Sequence, residues 1–198
     1  MGIGNWGLGI SKVMLSDRDL KKVIKEGGVI FTPKITPDQI GPASIDLHLS
    51  PHFKFFRIDK FSLIDTKKPL PEDFMGSTIL KKNEPFILHP SDFILASTTE
   101  YVKLSPEYSI RVEGKSSLAR MGILVHTAGF VDPGFEGTIT LEISNQSNLA
   151  VALYANMYIC QVAVDKLSSP SEVPYNKRKK SLYLKQKTTT EVRTKNLF

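Results

Sequence analysis

Apolar and polar residues alternate along most of this chain in short runs, with turn residues between them. VIF at 29–31, ASIDLHL at 43–49, HFKFF at 52–56, DFILAS at 92–97 and SIRVE at 109–113 follow that rhythm. It continues through TITLEIS at 138–144, LAVALY at 149–154 and MYICQVAVDKL at 157–167. A period of two puts successive side chains on opposite faces of a strand. Many short strands bounded by Pro, Gly, Asn and Asp predict a mainly β protein, a distorted barrel or sandwich, and not βαβ units. Two stretches depart toward helix. Near the N-terminus, Ser16 is placed to cap a helix, with Asp19 three residues on. Leu20, Val23 and Ile24 share its inner face, and Gly27-Gly28 stops it. Further on, SSLARMG at 116–122 predicts a short inserted helix that starts in serines and ends at Gly122. With no internal repeat and no low-complexity linker, the chain reads as one β domain over 14–175. A flexible leader (1–13) precedes it and a tail (176–198) follows.

Composition changes this picture only in part. Hydrophobic residues at 41% and charged residues at 23% are the balance of a folded globular chain, and 198 residues can bury a self-sufficient core. No apolar run approaches the roughly 18–20 residues of a membrane span, so no membrane partner is expected. The opening MGIGNWGLGISK lacks the basic-then-apolar order of a secretory signal. A single Cys160 excludes an internal disulfide framework and suits a reducing cytoplasm. The net charge of +6 is confined to one end: residues 176–198 hold eight Lys or Arg against Glu191 alone. The rest is near neutral, without the basic face a non-specific duplex binder needs, so no nucleic-acid partner is expected.

Two segments carry candidate chemistry. At 115–120, Lys115, the hydroxyls of Ser116 and Ser117, and Arg120 one turn later fall within six residues. They form either a phosphate cradle or a surface turn with solvated cations. The GKS at 114–116 is not a Walker A ending, because position 109 is Ser109 where that motif needs Gly. One Cys and the scattered His48, His52, His89 and His126 do not supply the His/Cys/Cys set of a zinc deaminase. The second segment, HTAGFVDPGFEGTITLEISN at 126–145, sets Asp132 before Pro133-Gly134 and Glu142 on the polar side of the alternation. If that side faces water, both acids are ordinary. If it lines a cleft, Glu142 can carry a proton. From the residues alone the choice stays open.

The run VEGKSSLARMGILVHTAGFVDPGFEGTITLEISN, 112–145, closely resembles the dCTP deaminase family of the dUTP pyrophosphatase superfamily. The likeness extends through MLSDRDL (14–20), IGPASIDLHLS (40–50) and MYICQVAVDKLSSPSEVPY (157–175). It implies a dUTPase-like (β-clip) fold, a homotrimer with active sites between subunits, and a C-terminal tail closing over the nucleotide. It also implies metal-free deamination, with Glu142 moving protons between water, the cytosine ring and the departing amine. Ser116 and Arg120 match residues near the reacting end and the phosphates, with Lys115, Ser117, Leu118 and Ala119 in the same segment. Thr127 and Ala128 would read the pyrimidine edge. Asp132 matches the acid on the 3′-hydroxyl, and Phe135 the aromatic stacked on the sugar. Thr140, Leu141, Gln161, Tyr175, Tyr183 and Gln186 complete the implied substrate contacts.

Departures from the family pattern bear on the products. Lys115 stands where the family usually has Arg, which keeps charge but loses the bidentate fork. The AGFVD form of 128–132 is similar to the bifunctional deaminase/dUTPase branch, in which the aspartate also orients water toward the α-phosphate. In the tail, Leu182 and Thr188 replace the family's Lys and Gly. The resemblance therefore implies conversion of dCTP through dUTP to dUMP, with Mg²⁺ borne by the triphosphate, no zinc, and dTTP as a candidate inhibitor. A dUTP pyrophosphatase without deaminase activity and a nucleotide-binding regulator are the alternatives.

Overall fold

A computed structural model describes residues 13–126 and 130–193. The strands are β1 (Val13–Met14), β2 (Val29–Thr32), β3 (Ile45–His48), β4 (His52–Phe56), β5 (Met75–Ile79), β6 (Pro85–Leu88) and β7 (Phe93–Leu104). They continue as β8 (Tyr108–Gly114), β9 (Ile123–His126), β10 (Phe130–Val131), β11 (Glu136–Asn145), β12 (Val151–Tyr154) and β13 (Tyr158–Lys166). The α-helices are α1 (Asp17–Glu26) and α2 (Ser116–Ala119). The expected mainly β architecture is what forms. Most of leader 1–13 lies outside the described residues; Val13, its last residue, already pairs with Lys166 in β1.

Helix α1 ends as its sequence dictates. Gly27 adopts a left-handed φ of 78° and its N–H donates to Ile24 O, the usual glycine stop. Its start differs from expectation: the Ser16 hydroxyl donates to the Asp19 carboxylate at 3.3 Å and makes no side-chain cap. Asp17 and Asp19 still place negative charge at the positive end of the helix.

One sheet runs β1-β13-β8-β10, with β3 also on β13. The second runs β5-β4-β7-β11-β9, with β2 also on β7, and β12 pairs separately with β6. Every described strand pair in these sheets is antiparallel. Ile45, Leu47, Ile110, Val162 and Val164 from the first sheet meet Phe53, Ile94, Val102, Leu141 and Ile143 from the second in one core. A smaller cluster of Phe74, Met75 and Leu95, with Phe56, Phe61 and Leu70 against it, sits beside that core.

Between β10 and β11, Asp132-Pro133-Gly134-Phe135 forms a tight turn in which Phe135 N–H donates to Asp132 O at 3.0 Å. Pro133 presets the first corner, and Gly134 takes the second with φ +77°, the pattern of a type II turn. The outer edge of that turn docks the tail: Tyr175 N–H donates to Pro133 O at 2.7 Å. The chain then returns along β11, where Lys185 N–H donates to Glu136 O (2.6 Å) and Thr138 N–H to Gln186 O (2.9 Å). A Cβ on Gly134 would lie 2.7 Å from Pro174 Cβ. Gly134→Ala is therefore expected to cost about 2–3 kcal/mol, the left-handed penalty plus a clash with backbone-fixed atoms. Thermal melting should fall by several degrees and trypsin should cleave faster within the Lys-rich 177–187; an unchanged digestion rate would refute the docking role.

Candidate active site

The alternation of β11 sorts its side chains cleanly. Ile139, Leu141 and Ile143 are 3%, 0% and 0% exposed, while Glu142 and Thr140 are half-buried on the other face. Glu142 lies opposite Leu95 of β7 on one side and His126 of β9 on the other. That face is partly covered. It lines a cavity of about 580 Å³ whose wall also includes Asp132, Phe135, Thr140, Tyr175, Tyr183 and Gln186. Asp132 and Glu142 thus belong to one concave site, together with the aromatic and the tail residues expected beside them.

Each of these groups is held from behind. Phe135 is 8% exposed and its ring packs against Tyr175, centroids 5.7 Å apart. Tyr175 in turn accepts from Tyr183 N–H at 3.0 Å through its hydroxyl oxygen. The Gln186 amide donates to Thr138 O (2.6 Å) and Thr140 Oγ1 (3.2 Å). Its Oε1 is buried with no partner among the described residues. A buried acceptor left over in this way is available to a ligand N–H or O–H, and leaving it unmatched costs stability.

The opposite wall was not legible in the sequence as part of a site. Phe56, Phe74, Met75, Phe93 and Leu95 make it apolar. Phe56 and Phe93 stack at 5.7 Å, and the segment between β4 and β5 brings Ile64, Thr66 and Leu70 to the rim. The signal available was the aromatic richness of HFKFF, read as a strand with no function attached. An apolar wall beside Glu142 lowers the local dielectric and strengthens each hydrogen bond a ligand makes there.

The remaining expected residues lie elsewhere on the same chain. Ser116, Ser117 and Ala119 are exposed on α2 and Arg120 just after it, away from the lining of the cavity. Leu118 and Leu141 do not present side chains to a ligand. Both are core residues, Leu141 because it points away from Glu142 on the same strand. Thr127 and Ala128 lie outside the described residues.

Lys115 and Gln161 form part of a second polar group, built on β3 and β13. The Lys115 ammonium is 2.5 Å from Asp46 Oδ2 and sits 5.4 Å from the Tyr158 ring centroid. The Ser44 hydroxyl donates to Gln161 Oε1 at 3.1 Å. Tyr158 donates to Asp38 at 3.0 Å, and that bond, with a burial contribution, keeps the phenol protonated above its ordinary range. The Asp38 carboxyl is lowered, first by the Thr36 hydroxyl and then by Tyr158. Cys160, wholly buried next to Gln161, has its thiol pushed far up by burial, which removes it as a nucleophile. Among the described residues no three His, Cys, Asp or Glu side chains form a metal-holding group. Asp132, Glu142 and Glu191 are the carboxylates at the cavity.

Comparison with known proteins places this geometry. The model of the "dCTP deaminase-like" family matches residues 14–167. A protein of Dictyoglomus thermophilum named "dCTP deaminase, dUMP-forming" is 46% identical over 183 residues, covering 91% of this chain and 94% of its own. One of Methanosphaera stadtmanae with the same name is 46% identical over 164 residues, covering 82% and 83%. A protein of Thermomicrobium roseum named "dCTP deaminase" is 44% identical over 180 residues, covering 88% and 90%. Among solved structures, the 2′-deoxycytidine 5′-triphosphate deaminase of Agrobacterium tumefaciens superposes with a TM-score of 0.60 at 21% identity. The superposition covers 79% of this chain and 49% of that one, and it speaks for the fold. With the match running from β1 to the end of β13, this chain belongs to the dCTP deaminase-like family.

Proposed function

We propose that the protein deaminates dCTP and carries the product on to dUMP, releasing ammonia and pyrophosphate. The observation that carries this reading is the shared cavity: Glu142, Asp132, Phe135 and Gln186 line one pocket in a chain 46% identical to proteins named as dUMP-forming deaminases. In the first step a water adds to cytosine C4. Glu142 takes a proton from that water and passes it to the ring nitrogen N3; it then takes the proton of the new C4 hydroxyl and delivers it to the amino group, so that the C4–N bond breaks, ammonia leaves and the C4 carbonyl forms. The apolar wall of Phe56, Phe93 and Leu95 keeps bulk water away from that exchange. In the second step Asp132 orients a water for attack on the α-phosphorus, and pyrophosphate departs. Phe135, packed on Tyr175, presents an aromatic surface to the deoxyribose.

Mg²⁺ fits as a companion of the substrate, not as a resident. The cation is satisfied by phosphate oxygens, water and one or two carboxylates, and the cavity offers no larger acidic set among the described residues. It supplies charge neutralisation on the triphosphate. The separation of Lys115, Ser116, Arg120 and Gln161 from the cavity in one chain supports a homotrimer, in which a neighbouring subunit brings that group to the pocket. Tail residues 176–193 close the site through Tyr183 and Gln186. A cytoplasmic setting suits the reduced Cys160, and dTTP is the inhibitor this reading expects.

Incubation with dCTP and Mg²⁺ tests the reading directly. Ammonia, dUMP and pyrophosphate should appear together. Accumulation of dUTP would mean deamination alone, and turnover of dUTP without ammonia from dCTP would mean a pyrophosphatase. Glu142→Gln is expected to lower ammonia release by at least about 10³-fold while nucleotide binding persists, since the amide cannot accept the proton. Undiminished release would remove its role. Asp132→Asn should cut dUMP formation about 10²-fold or more; an unchanged dUMP yield by chromatography would sink the water-orienting step.

A further inference from the structure

Lys115 carries an ammonium on a flexible four-carbon stem, without the self-orienting fork of a guanidinium. An unheld lysine loses much of its rotamer freedom when it settles on a ligand. Here it is already settled. Its side chain is 25% exposed and the Asp46 side chain 24%, so their 2.5 Å contact is more dehydrated than a surface pair. Tyr158 offers its ring face to the same ammonium. An ammonium has three N–H donors, and a bond to Asp46 leaves two for phosphate oxygens.

The support extends inward. The Tyr158 ring stacks on His48 at 4.4 Å, and its hydroxyl is tied to Asp38. His48 Nδ1 lies 2.6 Å from Glu100, a carboxylate only 2% exposed. Glu100 also accepts from the His48 backbone N–H and from the Gln39 amide, both at 3.0 Å. One strand away, the Ser44 hydroxyl engages Gln161 Oε1, so the Gln161 amide N–H₂ has no partner among the described residues. Asp46 and Gln161 are direct neighbours across β3 and β13. Two cation or amide donors are therefore aimed by one anchored segment, 44–48.

We propose that Asp46 and Tyr158 are positioning residues of the triphosphate subsite, acting through Lys115, with Ser44 doing the same for Gln161. The assignment of the ligand as a nucleoside triphosphate rests on the proposed function; the positioning itself is a property of any polyphosphate that Lys115 binds.

The full-length protein and its Asp46→Asn, Lys115→Met and double variants test this with two readouts. One is KM and kcat for dCTP; the other is the Kd for inorganic triphosphate with Mg²⁺ by calorimetry. Asp46→Asn should raise KM and the triphosphate Kd about tenfold, the worth of a hydrogen bond to a charged group, with kcat within about twofold. In the Lys115→Met background the same change should add nothing. Tyr158→Leu should repeat the KM effect at about threefold and likewise lose it without Lys115. Unchanged Kd in Asp46→Asn, or a full effect that persists in the double variant, overturns the proposal. Absence of dCTP turnover in the unaltered protein would defeat the proposed function alone, because the triphosphate titration still decides the positioning.

Discussion

Leu141 and Ile143 are wholly buried, and Glu142 stands between them on a strand that alternates its faces. A slip of one residue in the pairing of β11 with β7 would drive the carboxylate into the core and turn two aliphatic side chains into the cavity. Both outcomes cost several kcal/mol, one for an unpaired buried charge and one for lost burial. The pairing Glu142↔Leu95 and Ile143↔Ile94 is therefore pinned by the hydrophobic effect, and the site inherits its precision from the core. The register shift between Thr138 and Thr140 gives the strand local room where the tail crosses it.

The second dependency is the turn at 132–135. Its glycine gives the chain a corner that no Cβ fits, and its outer edge receives Pro174 and Tyr175. Through that contact the turn carrying Asp132 and the tail carrying Tyr183 and Gln186 become one unit. Gln186 then meets β11 through its backbone and its side chain, and Thr189 reaches His52 O and Ser97 beyond it. Lys54 and Glu191 pair further along the same path. These contacts are polar, from the part-buried Lys54–Glu191 pair to the buried Thr189–Ser97 bond, and each is weaker than core burial, as suits a segment that must admit and release a ligand.

The two polar groups of this chain differ in how they are secured. Around the cavity, side chains are fixed by strand register and aromatic packing. Around Lys115 they are fixed by a relay of charged and hydrogen-bonded groups that ends in the buried Glu100. A buried carboxylate needs every oxygen satisfied, and Gln39 with both the backbone and ring of His48 does this. Such a network tolerates little substitution but orients what it touches.

Much of this was readable in the residues. Period-two alternation located eight of the strands, the glycine pair ended α1, and the inward set Ile139, Leu141 and Ile143 followed from spacing alone. The strands at 13–14, 75–79, 85–88, 123–126 and 130–131 escaped: VM and FV are too short, PFIL and ILVH too evenly apolar, and MGSTI too rich in small polar residues for alternation to show. Resemblance, not spacing, nominated Phe135 and Gln186 and gave Asp132 its role. Whether Glu142 faced water or a cleft could not be settled by any local rule, since polar positions of a strand look alike whatever covers them. Covering is a non-local fact: it required the 56–75 segment, the returning tail and the apolar rings of Phe56 and Phe93 to converge over that face. The same holds for Asp46 and Lys115, 69 residues apart in sequence and joined only by folding. Sequence alone determined which side chains avoid water; tertiary structure decided which of the others share a wall, because only closure of the chain brings distant elements within hydrogen-bond reach.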